Sequence, residues 1–108
     1  MTRLNDTNAA AIADRFKALA EPMRLRLLNA LRDGEASVGE LAERTDGGQA
    51  NVSKHLQQLL HQGFVTRRKE GTTTWYRIAD PQVFDLCELV CGGIEDELER
   101  RRKAIRRG

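Results

Sequence analysis

A chain of 108 residues has room for one compact domain, and 40% hydrophobic with 31% charged residues is the make-up of a soluble globular protein, not of a disordered or fibrous one. No apolar run nears the ~20 residues a helix needs to cross a bilayer, and the opening MTRLNDTNAA lacks the apolar core of a signal peptide, so the expected compartment is the cytoplasm. Cys87 and Cys91, the two cysteines, suit a reducing compartment better than a disulfide framework.

The net charge of +2 says little until it is mapped along the chain. Between positions 49 and 77 stand Lys54, Arg67, Arg68, Lys69 and Arg77 against Glu70 alone, while the stretch before it is nearly balanced. A second basic run, Arg100 to Arg107, follows the acidic Glu95, Asp96, Glu97 and Glu99, an order that favours a helix dipole. A local cationic excess is the footprint of a polyanion partner, although a merely solvated face reads the same way.

Helix signals come first in the chain. Ile12, Phe16, Leu19 and Ala20 recur at helical spacing and predict a helix over about 8–20. Pro22 suits the first turn of a second helix, whose apolar stripe is Met23, Leu27, Leu28 and Leu31, with Gly34 just beyond its end. Ser37 and Glu40 have the spacing of a capping box and open a third helix with Leu41 and Ala42 as core positions. Thr45-Asp46-Gly47-Gly48 reads as a turn, and a fourth helix runs from about Gln49 to Gln62. Its apolar side is Val52, Leu56, Leu59 and Leu60; its other side carries Gln49, Asn51, Lys54, His55, Gln57 and Gln58.

After Gly63 the period changes from helix to strand. Phe64-Val65-Thr66 and Thr73 to Ile78 are β-branched and aromatic runs around Lys69-Glu70-Gly71-Thr72, a hairpin with a basic arm and a glycine at its tip. Asp80-Pro81 then caps a fifth helix whose apolar side is Val83, Cys87, Val90, Cys91, Ile94 and Leu98. Gly92-Gly93 lies inside it at about 1 kcal/mol per glycine relative to alanine, which predicts a bend, a local unwinding or a close neighbour.

Two short helices, a tight turn, a polar-faced helix and a basic hairpin make a winged helix-turn-helix, within one domain spanning 1–108. An α-helix fits the major groove of duplex DNA, where amide side chains such as Gln49 and Asn51 pair with adenine edges and Lys54 reaches guanine or phosphate. Arg67, Arg68 and Lys69 on the hairpin suit phosphates or the minor groove. No carboxylate pair in a pocket motif, phosphate-cradling glycine loop or supported Cys-His pairing is present, so no enzymatic activity is expected.

The run from Phe16 to Leu28, FKALAEPMRLRLL, resembles the opening motif of the ArsR/SmtB family of metal- and thiol-sensing repressors. Val52-Ser53-Lys54-His55-Leu56-Gln57-Gln58-Leu59 followed by Gly63-Phe64-Val65 is similar to that family's recognition helix, and Glu70-Gly71 leading to Trp75-Tyr76-Arg77-Ile78 to its wing. The likeness covers about residues 10–85. It implies a mainly α fold of four helices, a two-stranded hairpin and a fifth helix, and a homodimer built from the first and last helices. It implies also a repressor that sits on a palindromic double-stranded operator and lets go when an effector is sensed. On this resemblance Gln49, Asn51, Ser53 and Lys54 are the candidate base or groove contacts. His55 falls on the family's histidine, with packing or phosphate contact as its expected role, and His61 is read as surface.

The effector is where this chain departs from the family. The thiolate pair of the family's third-helix metal site is replaced by Ser37 and Gly39, and its last-helix zinc pattern by Asp85, Cys87, Leu98 and Arg101. What remains is Cys87 and Cys91, four apart and on one helix face. Three readings stay open: small apolar residues packed at a dimer interface; a thiolate site for arsenite or another soft metal ion, formed by this pair alone or with the partner subunit's pair; and thiols cross-linked by oxidants or reactive sulfur. The rival functions are a ligand-independent repressor and a winged helix used only for protein contact.

Overall fold

The computed structural model describes residues 3–107. Helix α1 (Ala9–Leu19) is followed by α2 (Pro22–Ala30), a two-residue strand β1 (Ala36–Ser37), α3 (Val38–Thr45) and α4 (Gln49–His61). Strands β2 (Val65–Glu70) and β3 (Thr73–Ile78) form the hairpin, and α5 (Gln82–Arg107) closes the chain. The sheet is antiparallel in the order β1-β3-β2, with Ala36 opposite Tyr76 and Val65 opposite Ile78.

Local chemistry sets most of the boundaries. The capping box forms: the Glu40 amide donates to Ser37 Oγ and the Ser37 amide to Glu40 Oε1, both at 3.2 Å. At the other end of α3 it is Asp46, not a glycine, that takes the left-handed conformation (φ +55), and the Gly47 amide returns to the Ala42 carbonyl. Gly47 is needed for space, since a Cβ there would lie 2.9 Å from a methyl of Val52. Gly71 opens the two-residue hairpin turn at φ +61, the positive φ that such turns demand. Asp80 Oδ1 accepts from the Gln82 amide at 2.9 Å and starts α5.

The core sits where α2, α3 and α4 meet the sheet. Leu27, Leu28, Leu31, Leu41, Val52, Leu56 and Leu59 are all sealed from water, joined by Ala36, Val65 and Tyr76. The strand Ala36–Ser37 is the one element that sequence reading missed. Two residues carry no periodicity, and β3 is what makes them a strand.

Two expected stripes are not buried within the chain. Of the first helix only Ala18 and Leu19 are buried, whereas Phe16 is 55% exposed and Ala20 is exposed. In α5 only the root is anchored: Val83 is buried, and the Arg32 guanidinium lies 4.2 Å from the Phe84 ring centroid. Farther along, Val90, Ile94 and Leu98 are 59%, 58% and 47% exposed. The helix runs unbroken through Gly92-Gly93, and a Cβ at either would meet nothing within 4 Å in the same chain. A radius of gyration of 17.0 Å, against about 13 Å for a compact chain of this length, reflects this projecting arm.

Candidate nucleic-acid interface

Helix α4 shows two unlike sides because its apolar residues recur at three- and four-residue intervals. Val52, Leu56 and Leu59 have no exposure at all, so the opposite side must face water. That side carries Ala50, Asn51, Lys54, Gln57, Gln58 and His61, all exposed. Of the sequence candidates, Asn51 and Lys54 lie in the middle of it. Gln49 is exposed but turned toward the start of α3, where its amide nitrogen comes within 3.8 Å of the position a Gly39 Cβ would take. Ser53 and His55 are half-buried, on the two flanks of the helix.

The hairpin sorts its bases by strand alternation. Val65, Arg67 and Lys69 share one face with Tyr76 and Ile78, and Val65 and Tyr76 on that face are core residues. Since α4 packs on β2, Arg67 and Lys69 emerge on the side of α4. Arg68 belongs to the other face, opposite Trp75. There its Nε and Nη2 donate to the two carboxylate oxygens of Glu35 at 2.8 and 2.6 Å, and Nη1 donates to Glu70 at 2.7 Å. The guanidinium also lies 5.6 Å from the Trp75 ring centroid. Its hydrogen bonds hold the Glu35 carboxyl below the usual glutamate range, and the two carboxylates raise the Arg68 guanidinium further still. The fork thus ties the wing to the loop after α2.

Sequence reasoning missed three participants. Glu35 lies 33 positions from Arg68 and nothing local pairs them. Gln57 is, by sequence, one more polar residue of the outer face of α4, yet its amide donates to the Tyr76 hydroxyl at 3.5 Å, joining α4 to the sheet. Arg24, inside the first quoted motif, donates from Nε to His55 Nδ1 at 3.0 Å and from Nη1 to the carbonyls of Lys17 and Ala18.

The cysteines lie away from this surface, on the projecting arm. Cys87 is half-buried and Cys91 exposed, both free, and the Cys91 thiol points to Glu95 Oε1 at 3.8 Å. Among the described residues no cluster of three or more His, Cys, Asp and Glu side chains gathers that would hold a metal ion. Among the described residues no helix is long and apolar enough to cross a membrane.

Known proteins match this arrangement. A family described as a helix-turn-helix domain matches residues 19–68. The transcriptional activator HlyU of Vibrio cholerae is 38% identical over 85 residues, 79% of this chain and 79% of its own. The transcriptional repressor SmtB homolog of a Synechocystis species is 35% identical over 88 residues, covering 82% of this chain and 67% of its own. The chain belongs to the ArsR/SmtB family. It is thus a helix-turn-helix transcription regulator, like the relatives just named. A homodimeric winged helix-turn-helix DNA-binding domain from Mycobacterium bovis superposes with a TM-score of 0.74 at 37% identity, over 93% of this chain and 95% of its own. Within this ArsR/SmtB fold α3 and α4 are the helix-turn-helix and β2–β3 the wing.

Proposed function

We propose that the protein is a homodimeric repressor that lays α4 in the major groove of a palindromic operator and releases it when an effector reaches α5. The observation that carries the DNA half of this reading is the outward face of α4. Asn51 and Lys54 stand exposed over a fully buried apolar side, with Arg67 and Lys69 on the neighbouring strand. Asn51 is the base-reading candidate through its amide, and Lys54 the cationic one. Gln49 and Ser53 flank the groove, and His55 faces phosphate. Arg67 and Lys69 contact the backbone, whereas Arg68 holds the wing in place through Glu35.

Dimerisation is supported by what the chain leaves uncovered. Phe16 on α1 and Val90, Ile94 and Leu98 on α5 are large apolar residues in water, and the M. bovis relative is homodimeric. Pairing two copies also spaces two recognition helices for half-sites about 34 Å apart, one helical turn of DNA.

The effector half rests on Cys87 and Cys91, which lie on the same stripe as Val90 and Ile94 and so at the same interface. Their positions four apart set the Cα atoms about 6 Å from each other, within disulfide range, although the Cβ directions on a regular helix are poor for it. A bridge between subunits, or a soft ion such as arsenite taken by the thiolates of both, changes the packing of α5 and with it the half-site spacing. The Synechocystis relative is named a repressor, which supports repression by this chain.

Two experiments test it. In a mobility shift with its own upstream DNA the purified protein should bind as a dimer and lose affinity steeply as salt rises, because phosphate contacts release counterions. A salt-independent shift, or none in dilute buffer, rejects the DNA reading in favour of a protein-contact module. In a reporter strain Cys87→Ser and Cys91→Ser, singly and together, should abolish induction by arsenite, peroxide or persulfide. Unchanged induction leaves the cysteines with a packing role, and a reporter that rises on none of these marks a ligand-independent repressor.

A further inference from the structure

The guanidinium of Arg24 touches three helices at once. It belongs to the first turn of α2, its Nη1 donates to the Lys17 and Ala18 carbonyls at 3.4 and 3.3 Å, and its Nε donates to His55 Nδ1 at 3.0 Å on α4. The two carbonyls belong to the last turn of α1, which lacks the amides of a following turn; that of Lys17 also accepts from the Ala20 amide at 3.1 Å. A cation there caps α1 from outside and sits at the negative end of its dipole.

The bond to His55 has a chemical consequence. A guanidinium keeps its protons and cannot accept a hydrogen bond, so Nδ1 must present a bare lone pair to it. A neutral imidazole then carries its proton on Nε2. That nitrogen has no hydrogen-bond partner among the described residues, and His55 is only half-buried on a flank of α4. We infer that Arg24 is a positioning residue for DNA binding: it fixes His55 as the Nε2–H tautomer and aims that N–H outward as a donor to a phosphate oxygen. The inference rests on the proposal that α4 binds duplex DNA, and it adds the part α1 plays. Because Arg24 also clasps the end of α1, one residue from the exposed Phe16, movement of that helix reaches the phosphate contact through a single side chain.

A neutral N–H donor differs from a cationic one in a measurable way. It adds affinity without neutralising a phosphate, so it releases no counterion. At pH 8, above the ordinary histidine range, His55→Ala should weaken operator binding on the order of tenfold with the salt slope of the parent protein. Arg24→Met should do the same, and the double variant should be no weaker than His55→Ala alone. Additive losses, or a slope that falls by about 1 on Arg24→Met, would make Arg24 a direct phosphate ligand and overturn the inference.

Two further measurements do not depend on Arg24→Met folding. His55→Gln sets an amide N–H near the place of Nε2 and should retain most of the affinity. His55→Asn reaches only as far as Nδ1 and should bind as weakly as His55→Ala; equal affinities for Gln and Asn count against the inference. Imidazole ¹⁵N spectra of the free protein should show His55 protonated at Nε2 alone, and an Nδ1–H tautomer ends the argument. That spectrum is recorded without DNA. A correct tautomer in a protein that shifts no DNA therefore rejects the DNA reading, while a wrong one in a protein that does shift DNA rejects the role of Arg24.

Discussion

Helices α4 and α5 are both amphipathic, and their apolar sides meet opposite fates. In α4 the side is finished within the chain: Val52, Leu56 and Leu59 are closed off by α2, α3 and the sheet. In α5 the stripe from Val90 through Ile94 to Leu98 stands in water, anchored only where Val83 and Phe84 meet the core. The same residue chemistry thus serves the fold of one chain in the first case and leaves an unpartnered face in the second. A helix whose inner side is fully satisfied has a free outer side for reading another molecule. A helix whose apolar side is open needs a partner before it is stable.

Five perturbations sharpen that contrast. The largest effect is expected at Leu56→Ala, which empties a fully buried site and should cost about 2–5 kcal/mol, read as a lower urea midpoint with an unchanged slope. If the loss instead stayed under 1 kcal/mol, α4 would not be the closed element described. Next comes Ile94→Asp, made together with Leu98→Asp. It should leave the core intact by near-ultraviolet circular dichroism but turn a dimer into a monomer by sedimentation, with operator affinity down on the order of a hundredfold as two linked half-site contacts become one. A variant that stays dimeric places the interface elsewhere.

Smaller effects belong to the reading side of α4 and the wing. Asn51→Ala should cost about 1–3 kcal/mol and relax base preference at one operator position, whereas Lys54→Ala should weaken all sequences alike and reduce the salt slope by about 1. Exchanged signatures would mean that the lysine reads bases and the asparagine holds the backbone.

The least effect on global stability is expected from Glu35→Gln, because the Glu35–Arg68 pair is exposed. Its readout is amide exchange in the hairpin, which should quicken. The Glu35 carboxyl is held below the ordinary glutamate range by the Arg68 hydrogen bonds. The attachment of the wing is therefore complete above that ordinary range and is lost as pH falls through the lowered value. Exchange in the parent protein should quicken toward that of Glu35→Gln in acid, and a hairpin insensitive to both acid and substitution would show that the pair does not hold it.

How much of this was legible beforehand follows from how local each cause is. The capping box, the turn at Gly71, the Asp80 start of α5 and the apolar period of α4 each depend on residues within a few positions, and sequence reading recovers them. Strand β1 escaped because its cause is Tyr76, forty positions away from Ala36. The wing bases looked alike in sequence as three consecutive cations. Strand alternation and Glu35 separate them, sending Arg68 to the outer face while Arg67 and Lys69 stay beside α4. Arg24 and His55, thirty-one positions apart, gave no sign of each other.

From its residues alone this protein is a set of amphipathic helices and one basic hairpin in a fixed order, since side-chain period, caps and turn residues act over single turns of chain. Packing decided the rest: which cation is tied down by carboxylates, which imidazole nitrogen meets an arginine, and which apolar stripe is left open. Those outcomes depend on groups brought together from distant positions, and their energies exist only once the chain has folded.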